Sequence, residues 1–478
     1  MLMKRLFFKL YLLLFALTII TFLARGTSLY AQKYPKGQVV DTVWCAGDTS
    51  QSYALYLPSN YNPQYQWPAM IVFEPAARGG LPVNKFMSGA EELGYILIGS
   101  NNSRNGSWEI AFNAADAIFL DIFDRFSIDP DRVYTSGFSG GSRIATSVAV
   151  ITDKIAGIVA CGAGYPNVPQ YQPTVNSKFV YCALVGNQDM NYLEHLKVAE
   201  DLKGKGISNN LIIFPAGHQW PPASFLKESL YWLEFQFYRR GVETNSSFSH
   251  EKLYDLMKYR ADSVFQKGNF VEALRIYKCL EESFQEYIDL KSITEQISTI
   301  ERSKELKKQQ RKKVKLNSLE MSYRFKMGEA FTELTFTRFK SGNDTSLKDM
   351  DWWKNEIDQF KRMAGKRDVY KSNMALRVLN MIWARCAETS FTYASRQDYE
   401  MAMILNEIWL YVEPESVWGH WSMARLFAQT GDVDGTIEHL KAVKEYRPGI
   451  PFKALRRDVA FEQVYDHIAI QRLLKENP

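Results

Sequence analysis

The stretch Val133-Tyr134-Thr135-Ser136-Gly137-Phe138-Ser139-Gly140-Gly141-Ser142-Arg143 decides how the N-terminal half of the chain is read. Val133–Ser136 is a short apolar run of the kind a buried strand uses. G-x-S-x-G follows at Gly137–Gly141, and a helical pattern begins at Ser142 and runs to Ile151. Glycine at positions 137 and 141 allows a sharp strand-to-helix turn that a Cβ would obstruct. Such a turn lifts Ser139 above the sheet edge. The helix N-terminus then aims free N–H groups at any oxyanion formed there. The five-residue pattern alone is common. The strand before it and the helix after it make Ser139 a candidate nucleophile.

A serine hydroxyl is a weak nucleophile and needs a base. The chain has 6 His. His195 lies in a helical pattern, and His250, His420, His439 and His467 lie in the C-terminal half. His218 follows the apolar run Leu211–Phe214, in Gly217-His218-Gln219-Trp220-Pro221, and is the candidate base. Asp189 follows Phe179–Val185, in Gly186-Asn187-Gln188-Asp189, on the loop of the preceding strand. It is the candidate acid that orients the imidazole, with a helix cap as its structural alternative. The chain order Ser139, Asp189, His218 is that of α/β-hydrolases.

Working outward, short apolar runs at Ala69–Phe73, Tyr95–Gly99 and Gly157–Cys161 alternate with helical patterns such as Trp108–Phe126. From about Gln32 to Gly241 this alternation predicts a mostly parallel sheet with helices on both faces. No large insertion interrupts it, so an open site without a lid is expected. Trp108, Trp220 and Tyr192 are candidates for its mouth, with core packing as the alternative. Beyond about Ser249 the strand signals vanish. Pro414 and Pro448, Ala402 and Thr436, and Tyr399 and Val433 are each 34 residues apart. Ala261, Gly268, Phe270, Ala273 and Tyr277 repeat the offsets seen around Ala424 and Gly431. This spacing resembles the tetratricopeptide repeat, a helix–turn–helix unit whose stacked copies form a concave binding surface. A generic helical bundle is the alternative.

The composition bounds the rest. With 478 residues, 46% hydrophobic and 23% charged, the chain is globular and long enough for two or more domains. Net charge is +5, yet Arg302–Lys315 alone carries +7, so the remainder sums to −2. That excludes a protein-wide basic surface for nucleic acid and makes the basic run a solvated helix face. The 5 Cys are widely spaced with no C-x-x-C, which argues for buried thiols over a metal ribbon or redox motif. Lys4, Arg5 and Lys9 precede an apolar run, Leu10–Ala24, too short for a membrane span. Small-residue cleavage sites follow at Ala24-Arg25-Gly26 and Leu29-Tyr30-Ala31. Residues 1–31 therefore read as a signal peptide, and the protein as exported to the periplasm or secreted. An uncleaved membrane anchor is the alternative.

Residues 53–240 resemble the α/β-hydrolase branch that contains polyhydroxybutyrate depolymerases and feruloyl or acetylxylan esterases. The resemblance rests on Ile128-Asp129-Pro130-Asp131-Arg132-Val133-Tyr134, on the Ser139 turn, and on Gly217-His218-Gln219-Trp220-Pro221. It implies nucleophile, acid and base at Ser139, Asp189 and His218, and no metal or cofactor. One departure stands out. The family carries His-Gly after the strand that supplies half of the oxyanion hole, where this chain has Glu74-Pro75-Ala76-Ala77-Arg78. Pro75 has no N–H, so the expected oxyanion donors are Ala76 or Ala77 together with Gly140. The expectation is an α/β-hydrolase domain at 32–245 acting on small or polymer-linked esters, then a helical repeat domain at 250–478 that binds a protein or polysaccharide partner. A serine peptidase of the prolyl oligopeptidase kind and a non-catalytic repeat scaffold are the alternatives.

Overall fold

The computed structural model describes residues 34–242, 248–336, 349–450 and 452–476. The predicted signal peptide, residues 1–31, lies outside them. The chain divides into two compact units, one ending at Arg311 and one beginning at Lys312. The boundary expected at 245–250 from the change of periodicity falls inside the first unit.

Among the described residues, the first unit holds one sheet of eight strands. They are β1 (Val39–Trp44), β2 (Ser52–Tyr56), β3 (Trp67–Phe73), β4 (Ile96–Ser100), β5 (Ile128–Phe138), β6 (Gly157–Cys161), β7 (Val180–Gly186) and β8 (Asn209–Phe214). Their order across the sheet is β1-β2-β4-β3-β5-β6-β7-β8. β1 and β2 are antiparallel to each other, and β2 to β4; every other pair is parallel. Five helices lie between the strands and after the last: α1 (Gly80–Leu93), α2 (Trp108–Arg125), α3 (Gly140–Thr152), α4 (Tyr192–Gly204) and α5 (Ala223–Tyr238). This is the α/β-hydrolase fold. β1 and β2 have no counterpart among the runs picked out in the sequence. β1 is an exposed edge strand, and β2 a five-residue one.

Alternate residues of a strand face opposite ways, and β3 divides the core accordingly. Met70 and Val72 pack toward α1 and α5, while Ala69, Ile71 and Phe73 pack toward α2, α3 and α4. The motif before the Ser139 turn has a structural task. Arg132 is buried and paired with Glu234 of α5, which also accepts from Tyr95 Oη at 2.5 Å. Removing one partner of such a buried pair costs about 3–5 kcal/mol.

The first unit continues past the sheet. α6 (His250–Gln266), α7 (Phe270–Phe284) and α8 (Lys291–Arg302) share one apolar cluster with α1 and α5. Phe284 stacks on Phe235 with ring centroids 4.7 Å apart, and Arg260 reaches the buried Glu228 at 2.8 Å. The continuity of this cluster moves the boundary to Arg311.

The helix α9 (Lys304–Phe336) carries the chain into the second unit. There follow α10 (Met350–Ala364), α11 (Val369–Ser395), α12 (Tyr399–Val412), α13 (Val417–Gln429), α14 (Val433–Tyr446) and α15 (Ile468–Glu476). Helix pairs close through the same turn. Gly268, Gln397 and Gly431 each adopt a positive φ, of 76°, 62° and 77°. Asn269, Asp398 and Asp432 then cap the next helix through their side chains. The last two turns stand 34 residues apart. Ala402, Ala424 and Thr436 are buried where these helices meet. Among the described residues no helix is long and apolar enough to cross a membrane. Most of Arg302–Lys315 faces solvent, and all five cysteines are free thiols, Cys279 being half-buried and the others buried.

Candidate active site

The turn after β5 is as sharp as its glycines imply. Ser139 sits at φ 53° and ψ −120°, a conformation that costs a non-glycine residue about 1–3 kcal/mol. A Cβ on Gly137 would overlap the backbone of Gly141, and one on Gly141 would come 2.7 Å from Phe73 C. Only glycine lets the helix start this close to β3 and β5. The backbone N–H of Ser139 donates to Cys161 O at 2.8 Å, and the Ser142 hydroxyl to Ala163 O at 2.6 Å, pinning the turn to the end of β6.

The three predicted side chains meet at the ends of three strands. Ser139 Oγ is 2.9 Å from His218 Nε2, and His218 Nδ1 is 2.9 Å from Asp189 Oδ2. The Asp189 side chain is 1% exposed and that of His218 6%. The other Asp189 oxygen accepts the Asn191 backbone N–H at 2.8 Å, and Asn191 Nδ2 donates to Gly162 O at 2.7 Å. Asp189 is thus held at both oxygens. The imidazole lies on the Phe138 ring, centroids 4.7 Å apart, and Phe138 packs on Trp220 at 5.4 Å. The loops carrying Asp189 and His218 are tied together: Asn187 N–H donates to Phe214 O at 2.8 Å, and Gln188 N–H to Ala216 O at 2.9 Å. With Nδ1–H donated to a buried carboxylate, Nε2 is left to accept a proton from the serine.

The expected oxyanion donors fare differently. Gly140 opens α3, where an N–H has no intrahelical acceptor. The N–H of Ala76 is committed to Glu74 Oε2 at 2.7 Å, and that of Ala77 to Glu74 O at 3.2 Å. Glu74 is fully buried and also receives the Arg78 guanidinium and, at 3.3 Å, the Arg78 N–H. The loop folds back on Glu74, whose carboxylate takes the Ala76 N–H and whose carbonyl takes that of Ala77, so the two alanine donors are spent.

The aromatics divide in the same way. Trp220 and Tyr192 are buried and serve as packing. Trp108 stays half-buried and forms a cluster with Phe112 and Tyr171, at centroid distances of 5.7 and 5.0 Å. Tyr171 comes from the link between β6 and β7, which holds one 3-10 turn, Pro169–Tyr171, in place of a longer helix. Sequence reasoning did not single out Phe138 or Asn191 as parts of the site, and it marked Glu74 only through the change beside it. Asn191 alone left a local signal, an Asx residue two positions after the candidate acid. Among the described residues no group of three or more His, Cys, Asp or Glu is placed to hold a metal.

No family model and no curated protein matches the chain. Among solved structures it is similar to S-formylglutathione hydrolase (FrmB) from Staphylococcus aureus, at 13% identity over 42% of this chain and 98% of that one, TM-score 0.34. It is similar to Est1E from Butyrivibrio proteoclasticus, at 11% identity over 42% of this chain and 100% of that one, TM-score 0.34. A hyperthermophilic esterase from the archaeon Pyrobaculum calidifontis aligns at 13% identity over 42% of this chain and 84% of that one, TM-score 0.32.

Proposed function

We propose that the protein is a serine hydrolase that cleaves carboxylic esters through an acyl-enzyme. One observation carries this reading: the unbroken line from Ser139 Oγ through His218 to the buried Asp189, with 2.9 Å at each link. In the first half-reaction Ser139 Oγ attacks the ester carbonyl carbon and its proton passes to His218 Nε2. The carbonyl electron pair moves onto oxygen. Collapse re-forms the carbonyl, breaks the bond to the alcohol oxygen, and returns the proton from His218 to that alcohol. Water repeats the sequence on the acyl-enzyme and releases the acid. Asp189 holds the ring and stabilises its protonated form. The exposed side of the Trp108, Phe112 and Tyr171 cluster is a surface on which an aryl or sugar-linked group can pack.

The remaining parts of the reading are an exported location, residues 1–31 as a cleaved signal, and stacked tetratricopeptide-like units in the C-terminal half that bind a protein or polysaccharide. The repeated turn at Gly268, Gln397 and Gly431, with an Asx cap after each, supports the repeats. Mass spectrometry of the exported protein tests the signal: a mature N-terminus near Thr27 or Gln32 is expected, and an intact Met1 means an anchor. For the chemistry, Ser139→Ala should lower p-nitrophenyl acetate hydrolysis by at least about 10³-fold with unchanged circular dichroism. A variant as active as the wild type would remove Ser139 from the mechanism.

A further inference from the structure

We infer that the side-chain amide of Asn105 supplies the second oxyanion donor. The inference rests on the reading of Ser139 as nucleophile. It starts from a deficit. Pro75 has no N–H, and the N–H groups of Ala76 and Ala77 both serve Glu74. Gly140 is then left as the backbone donor at the turn, whereas a tetrahedral oxyanion calls for more than one.

Asn105 lies where the missing donor is needed. Its own N–H donates to Pro75 O at 2.9 Å, and its neighbour Arg104 forms an antiparallel bridge with Ala76. The loop after β4 is thereby stapled to the loop that would have carried the backbone donor. Gly106 follows at φ 146°, a conformation open to glycine, and turns the chain away. The Asn105 carboxamide then projects over Gly140. A Cβ built on Gly140 would overlap its Oδ1, the atom that faces the glycine, with Cγ 3.0 Å and Nδ2 3.5 Å away. The glycine after the nucleophile thus makes room for this amide as well as for the turn. Asn105 is exposed, and its carboxamide makes no hydrogen bond to the protein among the described residues. Its terminal torsion is soft, and a half-turn exchanges Oδ1 for Nδ2, so the NH₂ group can take the place beside Gly140 that the oxygen holds here. A carboxamide that is unspent, anchored through its own backbone and seated beside Gly140 has the properties the alanines lack.

The experiment compares the full-length wild type with Asn105→Ala, Asn105→Asp and Ser139→Ala. A fluorophosphonate probes the site without requiring any particular ester. Ser139 Oγ bonds to phosphorus, fluoride leaves, the proton goes to His218, and the phosphoryl oxygen occupies the oxyanion position. Asn105→Ala should label Ser139 to the same final stoichiometry but about 10- to 100-fold more slowly, and on p-nitrophenyl acetate kcat should fall about 10²–10³-fold with little change in KM. Asn105→Asp keeps the shape, replaces the donor by a negative charge, and should lose at least as much. Labelling of Asn105→Ala at the wild-type rate, with Ser139→Ala unlabelled, would overturn the inference and leave the nucleophile standing. A wild type that does not label at Ser139 would overturn both.

Discussion

At the scale of single residues, two histidines of similar burial differ in what surrounds them. His218 has a carboxylate on one side and a hydroxyl on the other. His195, three residues into α4, is fully buried, and neither ring nitrogen has a hydrogen-bond partner among the described residues. Burial pushes its pKa from the usual 6.5 to about 4, against the opposing pull of Glu194 and Asp189. The folded pKa therefore lies below the unfolded one. As pH falls, the unfolded chain takes up the proton first. This residue's contribution to stability is complete above about pH 6.5 and is lost as pH falls through about 4. At about 1.4 kcal/mol per unit this is on the order of 3 kcal/mol. Urea denaturation at pH 7.5 and 4.5 should find the wild type losing about 2–3 kcal/mol more than His195→Phe over that interval. Equal losses would mean that the buried imidazole does not govern the acid limb. The sequence showed His195 only as a helix residue, since nothing local reveals that both of its nitrogens are enclosed.

At the scale of elements, the helix pairs depend on a left-handed residue between two helices. Gly268 and Gly431 accept that conformation without a Cβ penalty; Gln397, at φ 62°, does not. The conformation costs a non-glycine residue about 1–2 kcal/mol. Gln397→Gly should therefore stabilise the second unit, by up to about 1 kcal/mol after the glycine's larger unfolded-state entropy is subtracted. Thermal melts of the two proteins check this; a fall in Tm would mean that the Gln397 side chain makes contacts that outweigh its backbone strain. The turns were legible because glycine and Asx residues mark them. The central helices were less so, because α11 runs unbroken from Val369 to Ser395 and carries no cap signal inside it.

At the scale of the molecule, the unit that carries Ser139 is larger than the strand–helix alternation suggests. α6 and α7 pack on one face of α5 and α8 packs on α7, and Phe235, Leu253, Met257, Leu280 and Phe284 all lie in the shared cluster. Each such side chain contributes about 1.5–3 kcal/mol when fully buried. A chain ending at residue 245 would expose that face. It should lose several kcal/mol of stability and bind a hydrophobic dye, while a chain ending at residue 311 should keep its cooperative melt. If the shorter chain melted within about 3 °C of the longer one, the three helices would not belong to the core of the first unit. The change of period near Ser249 marks where strands stop; it carries no information about where packing stops.

What the sequence determined by itself was local and periodic. A strand followed by glycines and a helix set the turn at Ser139, and alternating apolar runs set the sheet. The order of Ser139, Asp189 and His218 named the three side chains that meet, because each follows a strand and strand ends converge at one edge of a parallel sheet. What only the tertiary structure decided were matters of partnership. Whether the N–H groups of Ala76 and Ala77 were free depended on where the Glu74 carboxylate and the Glu74 carbonyl turned. Asn105 acquired its position from a bridge between two loops separated by β4 and α1. The true extent of the first unit rested on an apolar face of α5 that needed covering. Each of these depends on contacts distant in the chain or on the direction a side chain takes, and neither leaves a period or a motif to read.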